Sequence, residues 1–423
     1  MKWLIKNAHL LAPGSPFDDQ LNDLLVVEGR IEQIQPGIKD SEANVFDASG
    51  AYLSPGWMDI GCFNGDPGFE HREDLNSLAA AAIAGGYTAI APLPNTFPPV
   101  ENQADIYYLR NHPVAEAIDV FPIAAATEGT EGKAITEMID LRHAGAVAFS
   151  DGLKSIQHGG VMIRALEYVR QFDGLLINHP DDHLLSGGGQ LHEGRESTLL
   201  GLPGIPSVAE EMMLYRDLRL VEYTRSRLLV AAISSVGSVE LIRRAKAQSL
   251  DVFASVPVMN LAFDVSGMAD FDSNKKVLPP LRTAADKEGL IEGILDDTID
   301  CIVSGHLPVE EDHKIKEFPY TAFGAIGLET TFALANQVLS SRAGIRKIVD
   351  KLSYGPRRVL GLPVPEINTG VPANFTIFDP EMVCTFTRKN VQSKSYNTPL
   401  LGRELRGSIL ATFLREQVHL NKK

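Results

Sequence analysis

The alternation of apolar and polar positions divides the chain into three stretches. Over residues 1–55 the apolar runs are short: Trp3-Leu4-Ile5, then Leu24–Ile31, with Asp, Gly and Pro turns between them. The second run is interrupted by Glu28-Gly29-Arg30, which marks a tight turn. This stretch closes at Ser54-Pro55-Gly56. From about 56 to 362, short apolar or β-branched runs alternate with longer segments of helical spacing. The runs are Tyr87–Ala91, Val147–Phe149, Leu175–Asn178, Leu228–Ile233, Val252–Val256 and Cys301–Ser304. The helical segments include Asp74–Ala84, Ser207–Arg225, Gly237–Ala247, Thr283–Leu295 and Gly327–Leu339. Such alternation predicts a parallel sheet, and about eight repeats over ~300 residues suit a closed (β/α)8 barrel better than an open sheet. After residue 365 strands return at Phe375–Phe378, Thr385–Thr387, Gly407–Leu414 and Gln417–Leu420. The expected architecture is therefore α/β: a TIM-like barrel over 56–364, flanked by a small β-sandwich built from 1–55 and 365–423.

Composition narrows the class. Of 423 residues, 44% are hydrophobic and 22% charged, which excludes a wholly disordered chain. The net charge of −15 argues against nucleic-acid or anionic-membrane partners, which need a basic face. Three scattered cysteines (Cys62, Cys301, Cys384) suggest neither a disulfide framework nor a cysteine-rich zinc site. With no signal-like start and no ~18-residue apolar run, a cytoplasmic protein is expected. Eleven histidines would suffice for a metal centre if they stood at ligand spacing.

Several motifs, in order, resemble one family. Ser54–Asp59 is similar to the first barrel strand of cyclic amidohydrolases; Gly85-Gly86-Tyr87-Thr88 and Pro94-Asn95-Thr96 resemble the next strand of dihydroorotases. Gly145–Gly152, Leu202–Pro206 with Glu210 and Arg216, Pro279–Arg282, Gly324–Thr330 and Ser393–Pro399 continue the likeness to long-chain bacterial dihydroorotases over nearly the whole chain. The resemblance implies the barrel, a flanking sandwich and a zinc-dependent opening or closing of a cyclic amide. That chemistry needs a metal-bound hydroxide and a proton-carrying carboxylate.

The residues at the implied site are of the wrong kinds. The family's Asp-x-His-x-His-x-Arg is here Asp59-Ile60-Gly61-Cys62-Phe63-Asn64-Gly65, so Gly61 and Phe63 replace two ligands and Gly65 the substrate-binding arginine. Cys62 is expected to point away from the ligand side as a small buried residue. Asp151 stands at the bridging-ligand place, with Gly152 where a second aspartate is usual; otherwise it is a strand-end or cap residue. Lys154 lies too far along to serve as a carbamylated bridge. His179 matches a ligand histidine, but one histidine and one aspartate fall short of the three protein ligands of a catalytic zinc, so a hydrogen-bonded pocket role suits it better. Ala232 replaces another ligand. The catalytic aspartate position is Gly305, followed by the surviving His306, and Val309 replaces a substrate-binding histidine. Leu278 stands for the asparagine before Pro279-Pro280-Leu281-Arg282, and Pro257-Val258-Met259 for a Pro-His-His segment.

Asn95, His179, His306 and Arg282 are thus the pocket candidates, with Asp151 and His179 as residual metal candidates. Gly187-Gly188-Gly189 lacks the Lys-Ser/Thr of a phosphate loop. His71, His183, His192, His313 and the run Glu310–Lys314 read as solvated, and Met212-Met213 as a helix core face. Three functions follow. In the first, the chain is a non-catalytic dihydroorotase homologue that needs no cofactor; the resemblance implies a role in pyrimidine biosynthesis and association with aspartate carbamoyltransferase. In the second, it is an active cyclic amidohydrolase whose zinc site is rebuilt from Asp59, Asp151 and His179. In the third, it is a metal-free small-molecule binder. The resemblance also implies a homodimer.

Overall fold

A computed structural model describes residues 1–421. Eight strand positions form a parallel barrel: Trp57–Ile60, Tyr87–Ala91, Asp119–Val120 with Ile123–Ala124, Ala148–Ser150, Leu175–Asn178, Arg227–Val230, Val252–Pro257 and Cys301–Val303. The third is split around Phe121-Pro122; its first half pairs with the second strand and its second half with the fourth. One principal helix follows each strand: Leu75–Ala84, Gln103–Asn111, Met138–Ala144, Gly159–Arg170, Ser207–Thr224, Val236–Ala247, Ala284–Leu295 and Thr331–Val349. Several start where a polar side chain takes a free helical N–H, as Asp74 does from Ser77 and Thr283 from Asp286.

Alternation along the strands fills both sides of the barrel wall. Met58, Ile60, Ala89, Ala91, Leu175, Ile177 and Cys301 pack inside, and Val359 and Leu360 of the helix Gly355–Leu360 join them. That helix lies at the N-terminal end of the strands: Arg357 donates to the Gly56 carbonyl, and Arg227, at the start of strand six, to that of Val359. Trp57, Ile90, Phe149, Leu176 and Leu228 face the helices. The opposite end, at the C-terminal ends of the strands, is the mouth.

The two chain ends meet in one eight-stranded sheet. Lys2–Leu10, Leu21–Val27, Arg30–Gln35, Asn44–Asp47 and Tyr52–Pro55 come from the start of the chain. Asn374–Thr385, Glu404–Leu414 and Gln417–Leu420 come from the end. Tyr52–Pro55 is the junction, parallel to Lys2–Leu10 and antiparallel to Asn374–Thr385. The sheet curls until Arg30 bridges Pro372, and it encloses a core that includes Ile5, Leu24, Leu53, Phe375 and Phe413. The expected turn is present: Glu28 and Gly29 both have positive φ (48° and 72°), as a two-residue hairpin requires.

The structure differs from the pattern reading in three places. The expected strand Thr385–Thr387 is the tail of one long strand, Asn374–Thr385, whose pairing register shifts between Asp379 and Val383. That irregularity accommodates Pro380, which cannot donate to a ladder. The helices Gln103–Asn111, Met138–Ala144 and Gly159–Arg170 carried no anticipated signal. The helix expected over Gly327–Leu339 begins as a 3-10 turn at Leu328–Thr330 and then runs from Thr331 to Val349.

Candidate functional site at the barrel mouth

The seam between strands eight and one is closed by a side chain. Asp59, fully buried, accepts the Ser304 N–H (2.8 Å) and the Ser304 hydroxyl (2.7 Å) on its two carboxylate oxygens. Burial pushes its pKa up to about 6. Beyond it the chain turns at Gly61 (φ 90°), where a Cβ would lie 3.6 Å from Leu93, and Cys62 packs in the apolar layer between barrel and helices. Burial drives the Cys62 thiol well above its usual pKa, so it stays neutral. Phe63 is buried beneath the Arg72 guanidinium, which also donates to the Pro308 carbonyl. A Cβ at Gly65 would collide with the backbone of Phe69 and Glu73, so this loop has no room for an arginine there.

Asp151, at the end of strand four, repeats the arrangement of Asp59. It is buried and accepts the Thr127 N–H (2.8 Å) and hydroxyl (2.6 Å), and burial raises its pKa. Asn95 fastens the next turn, donating to the Asp151 carbonyl (3.0 Å) and accepting from the Leu153 N–H (2.9 Å). Gly152 has φ 64°, and a Cβ there would run into the Asn95 amide oxygen. The place of the usual second aspartate is therefore filled by Asn95. Lys154 turns aside to the Thr130 hydroxyl.

A third carboxylate follows the same pattern. Glu210, near the start of Ser207–Thr224, accepts from the N–H groups of Ser234 and Ser235 and from the Ser234 hydroxyl, and pairs with Arg282 at 3.5 Å. Arg282, placed among the pocket candidates, is buried and used up: it also donates to Ser234 Oγ, the Ile205 carbonyl and His192 Nδ1. His192 is thus buried rather than solvated, and burial lowers its pKa. Lys314, read as part of a solvated run, is likewise buried, its ammonium on the carbonyls of Ser273 and Ala322. His71, His183 and His313 are exposed, as expected. Of the methionine pair, Met213 is core and Met212 is exposed.

His306 also lies inside the protein, not on the pocket wall. Its Nδ1 accepts the Gly327 N–H at 3.2 Å, leaving Nε2 to face Glu73 at 3.3 Å, and Glu73 in turn accepts the Ser393 hydroxyl. Gly305 before it is exposed, with φ 61°. His179 is half-buried, with Nδ1 3.3 Å from the Ala231 carbonyl. The mouth thus brings together Asn95, Asp151 and Gly152, while Arg282 and His306 sit behind the wall. The residues that sequence reading missed are the hydroxyl partners Thr127, Ser304 and Ser234, whose only trace is a Ser or Thr at a strand end.

A catalytic zinc requires about three converging protein donors with an open position. Among the described residues, no three His, Cys, Asp or Glu side chains gather in a way that could hold a metal ion. The donor set at the mouth therefore does not fit zinc. Of the polar groups at the mouth, Asn95 has both amide atoms bonded within its loop, while His179 is half-buried with one contact to the Ala231 carbonyl.

Solved hydantoinase structures share this chain's TIM-like barrel fold. L-hydantoinase (dihydropyrimidinase) from Arthrobacter aurescens superposes with a TM-score of 0.83 at 22% identity, over 99% of this chain and 97% of the other. A D-hydantoinase gives 0.82 at 19% identity, over 100% and 95%. Residues 50–238 match the family model described as Dihydro-orotase-like. The dihydroorotase of Pelotomaculum thermopropionicum is 38% identical over 420 residues, 99% of this chain and 98% of that protein. That of Syntrophotalea carbinolica is 39% identical over 417 residues, 98% of each. The chain belongs to the dihydroorotase family. Among the described residues, no helix is long and apolar enough to cross a membrane.

Proposed function

We propose that this protein is a non-hydrolytic dihydroorotase homologue that serves pyrimidine biosynthesis in the cytoplasm as a structural partner of aspartate carbamoyltransferase. The observation that carries the reading is the state of the two mouth carboxylates. Asp59 and Asp151 each give both oxygens to one Ser or Thr of a neighbouring strand end. Every oxygen of the two pairs already holds a donor, and the positions around them hold Gly61, Phe63, Gly152, Ala232 and Gly305. Hydrolysis of a cyclic amide needs a cation to activate water and a carboxylate to carry the proton. At Gly305 there is no side chain to carry it. A zinc site rebuilt from Asp59, Asp151 and His179 would have to form on oxygens already held by Ser304 and Thr127.

The test combines elemental analysis of the purified full-length chain, dihydroorotate hydrolysis, and mixing with aspartate carbamoyltransferase followed by sizing. Metal well below one ion per chain, no turnover and a stable complex are expected. Stoichiometric zinc with turnover would overturn the proposal in favour of a rebuilt centre. Absence of any complex would remove the structural-partner role and leave a small-molecule binder.

A further inference from the structure

The last strands of the sheet leave a cavity of about 430 Å³ between themselves and the helices Leu75–Ala84 and Thr331–Val349. That volume suits a small organic molecule. Phe332 and Ala333 on the helix, with Phe386, Leu405 and Ile409 on the sheet side, give it apolar walls. Asn95, Asp151 and His179 of the mouth take no part in the lining. One wall group is out of keeping with the rest. Glu329, in the 3-10 turn that leads into Thr331–Val349, is half-buried, and its Oε1 accepts the Gln392 N–H at 2.7 Å. Among the described residues no lysine or arginine pairs with its carboxyl. Burial, with Glu73 nearby, pushes its pKa up to about 8, against the pull of the Gln392 and Ser393 N–H groups. The other titratable groups on the lining are Cys384, Lys389 and His419, all three exposed.

We propose that this cavity binds a small organic cation, a primary ammonium carried on an apolar body, with Glu329 as its counter-ion. A carboxyl among apolar side chains avoids an unpaired buried charge in one of two ways: it keeps its proton, or it takes a cation. Alone, Glu329 keeps its proton at neutral pH. An ammonium ion changes that balance. The Glu329 carboxyl releases its proton to solvent, and the ammonium N–H groups donate to the carboxylate so formed. Phe332 and Phe386 favour the same ligand, because an aromatic face attracts a cation while the apolar walls bury the body attached to it. Lys389 is the opposing charge on the lining, but it is exposed, so solvent screens it. The inference stands whether or not the mouth is hydrolytic.

The test is calorimetric titration of the full-length protein with three probes that share one body: hexylammonium, hexanol and hexanoate. Hexylammonium should bind one per chain, with the other two at least tenfold weaker. Its affinity should rise with pH, because Glu329 must give up a proton to form the pair. For a carboxyl of pKa about 8 and an amine that stays charged throughout, the gain from pH 6 to pH 8 is roughly fiftyfold. Glu329→Gln should remove both the preference for the ammonium and its pH dependence. Should that variant fail to fold, the wild type supplies a second readout. Cys384 lines the cavity and is exposed, whereas Cys62 and Cys301 are buried, so alkylation by iodoacetamide reports on Cys384. Hexylammonium should slow that alkylation severalfold, and hexanoate should not. The proposal would be overturned by the absence of saturable hexylammonium binding at millimolar concentration. Equal affinity for the three probes, affinity that does not change with pH, or undiminished binding by a folded Glu329→Gln chain would each overturn it as well. So would alkylation of Cys384 that hexylammonium leaves untouched.

Discussion

The inner wall of the barrel mouth and the ring of residues just behind it hold opposite kinds of chemistry. The wall offers Gly61, Leu93, Gly305 and Asn95, with His179 as its imidazole. The ring is crowded with carboxylates: Asp59, Glu73, Asp151 and Glu210, each buried and each bonded to a Ser or Thr. Carboxylates are therefore plentiful at this end of the fold, and none is idle. The difference teaches that a carboxylate near a barrel mouth is not by itself evidence of chemistry, because strand-end donors can hold its oxygens for a structural purpose. A neighbouring Ser or Thr that supplies both an N–H and a hydroxyl turns it into a splice between strands.

The sharpest way to break the comparison is to remove a ring member. Glu210→Ala strips the acceptor from Ser234 and Ser235 and leaves the Arg282 charge buried beside it, so it should cost about 3–5 kcal/mol in urea denaturation. A loss below ~1 kcal/mol would deny the ring its structural role. Asp59→Asn comes next, and its effect depends on pH. The folded pKa of about 6 lies above the ordinary 3.8, so the folded state holds the proton more tightly than the unfolded chain. The stability this group contributes is complete below about pH 4 and is lost as pH rises through 6. Relative to the Asn variant, the wild type should lose up to ~3 kcal/mol over that window. Matching unfolding curves at pH 4 and pH 7 would show that Asp59 is not so perturbed.

Gly152→Asp asks whether the wall can regain a ligand. The new side chain meets Asn95 and an unfavourable φ, so stability should fall by about 2 kcal/mol. Combining it with Asn95→Ala should return part of that loss, and strict additivity of the two would show that they do not collide. The smallest effect is expected for His179→Ala. A half-buried ring with one 3.3 Å contact to a carbonyl should cost under ~1 kcal/mol and leave the metal content unchanged. Loss of a bound ion on that change would move His179 from the wall's hydrogen bonds to its ligands.

The barrel was legible because its signal is repeated: six apolar runs and five helical segments alternate at a spacing that suits about eight strand-helix units. The hairpin at Glu28-Gly29 was legible because few residues adopt that backbone. The strand through Pro380 was cut short because a proline normally ends a run, and only the sheet's irregular register keeps it whole. At the mouth, the residues at positions 61, 63, 152, 232 and 305 could be read directly, since a missing donor needs no geometry. The fates of Arg282, His192 and His306 could not. Whether a charged or aromatic side chain lines a cavity or bolts two loops together depends on distant partners: Glu73 is 233 positions from His306 and Ile205 is 77 from Arg282. Met212 and Met213, adjacent in sequence, parted for a related reason: the step of about 100° between successive helical residues puts one on the outer face and the other on the inner.

The junction strand Tyr52–Pro55 has a consequence for the order of events on the ribosome. Its parallel neighbour, Lys2–Leu10, leaves the exit tunnel before it, but its antiparallel neighbour, Asn374–Thr385, emerges more than 300 residues later, paired as Phe375 with Pro55. Translation at ~5–20 residues per second makes that wait tens of seconds at the slower rates. Throughout it the edge of Tyr52–Pro55 carries open N–H and C=O groups, ready to pair with any stray strand. The nascent chain must therefore keep this edge shielded, by a chaperone or by the barrel growing beside it, until its own last strands arrive.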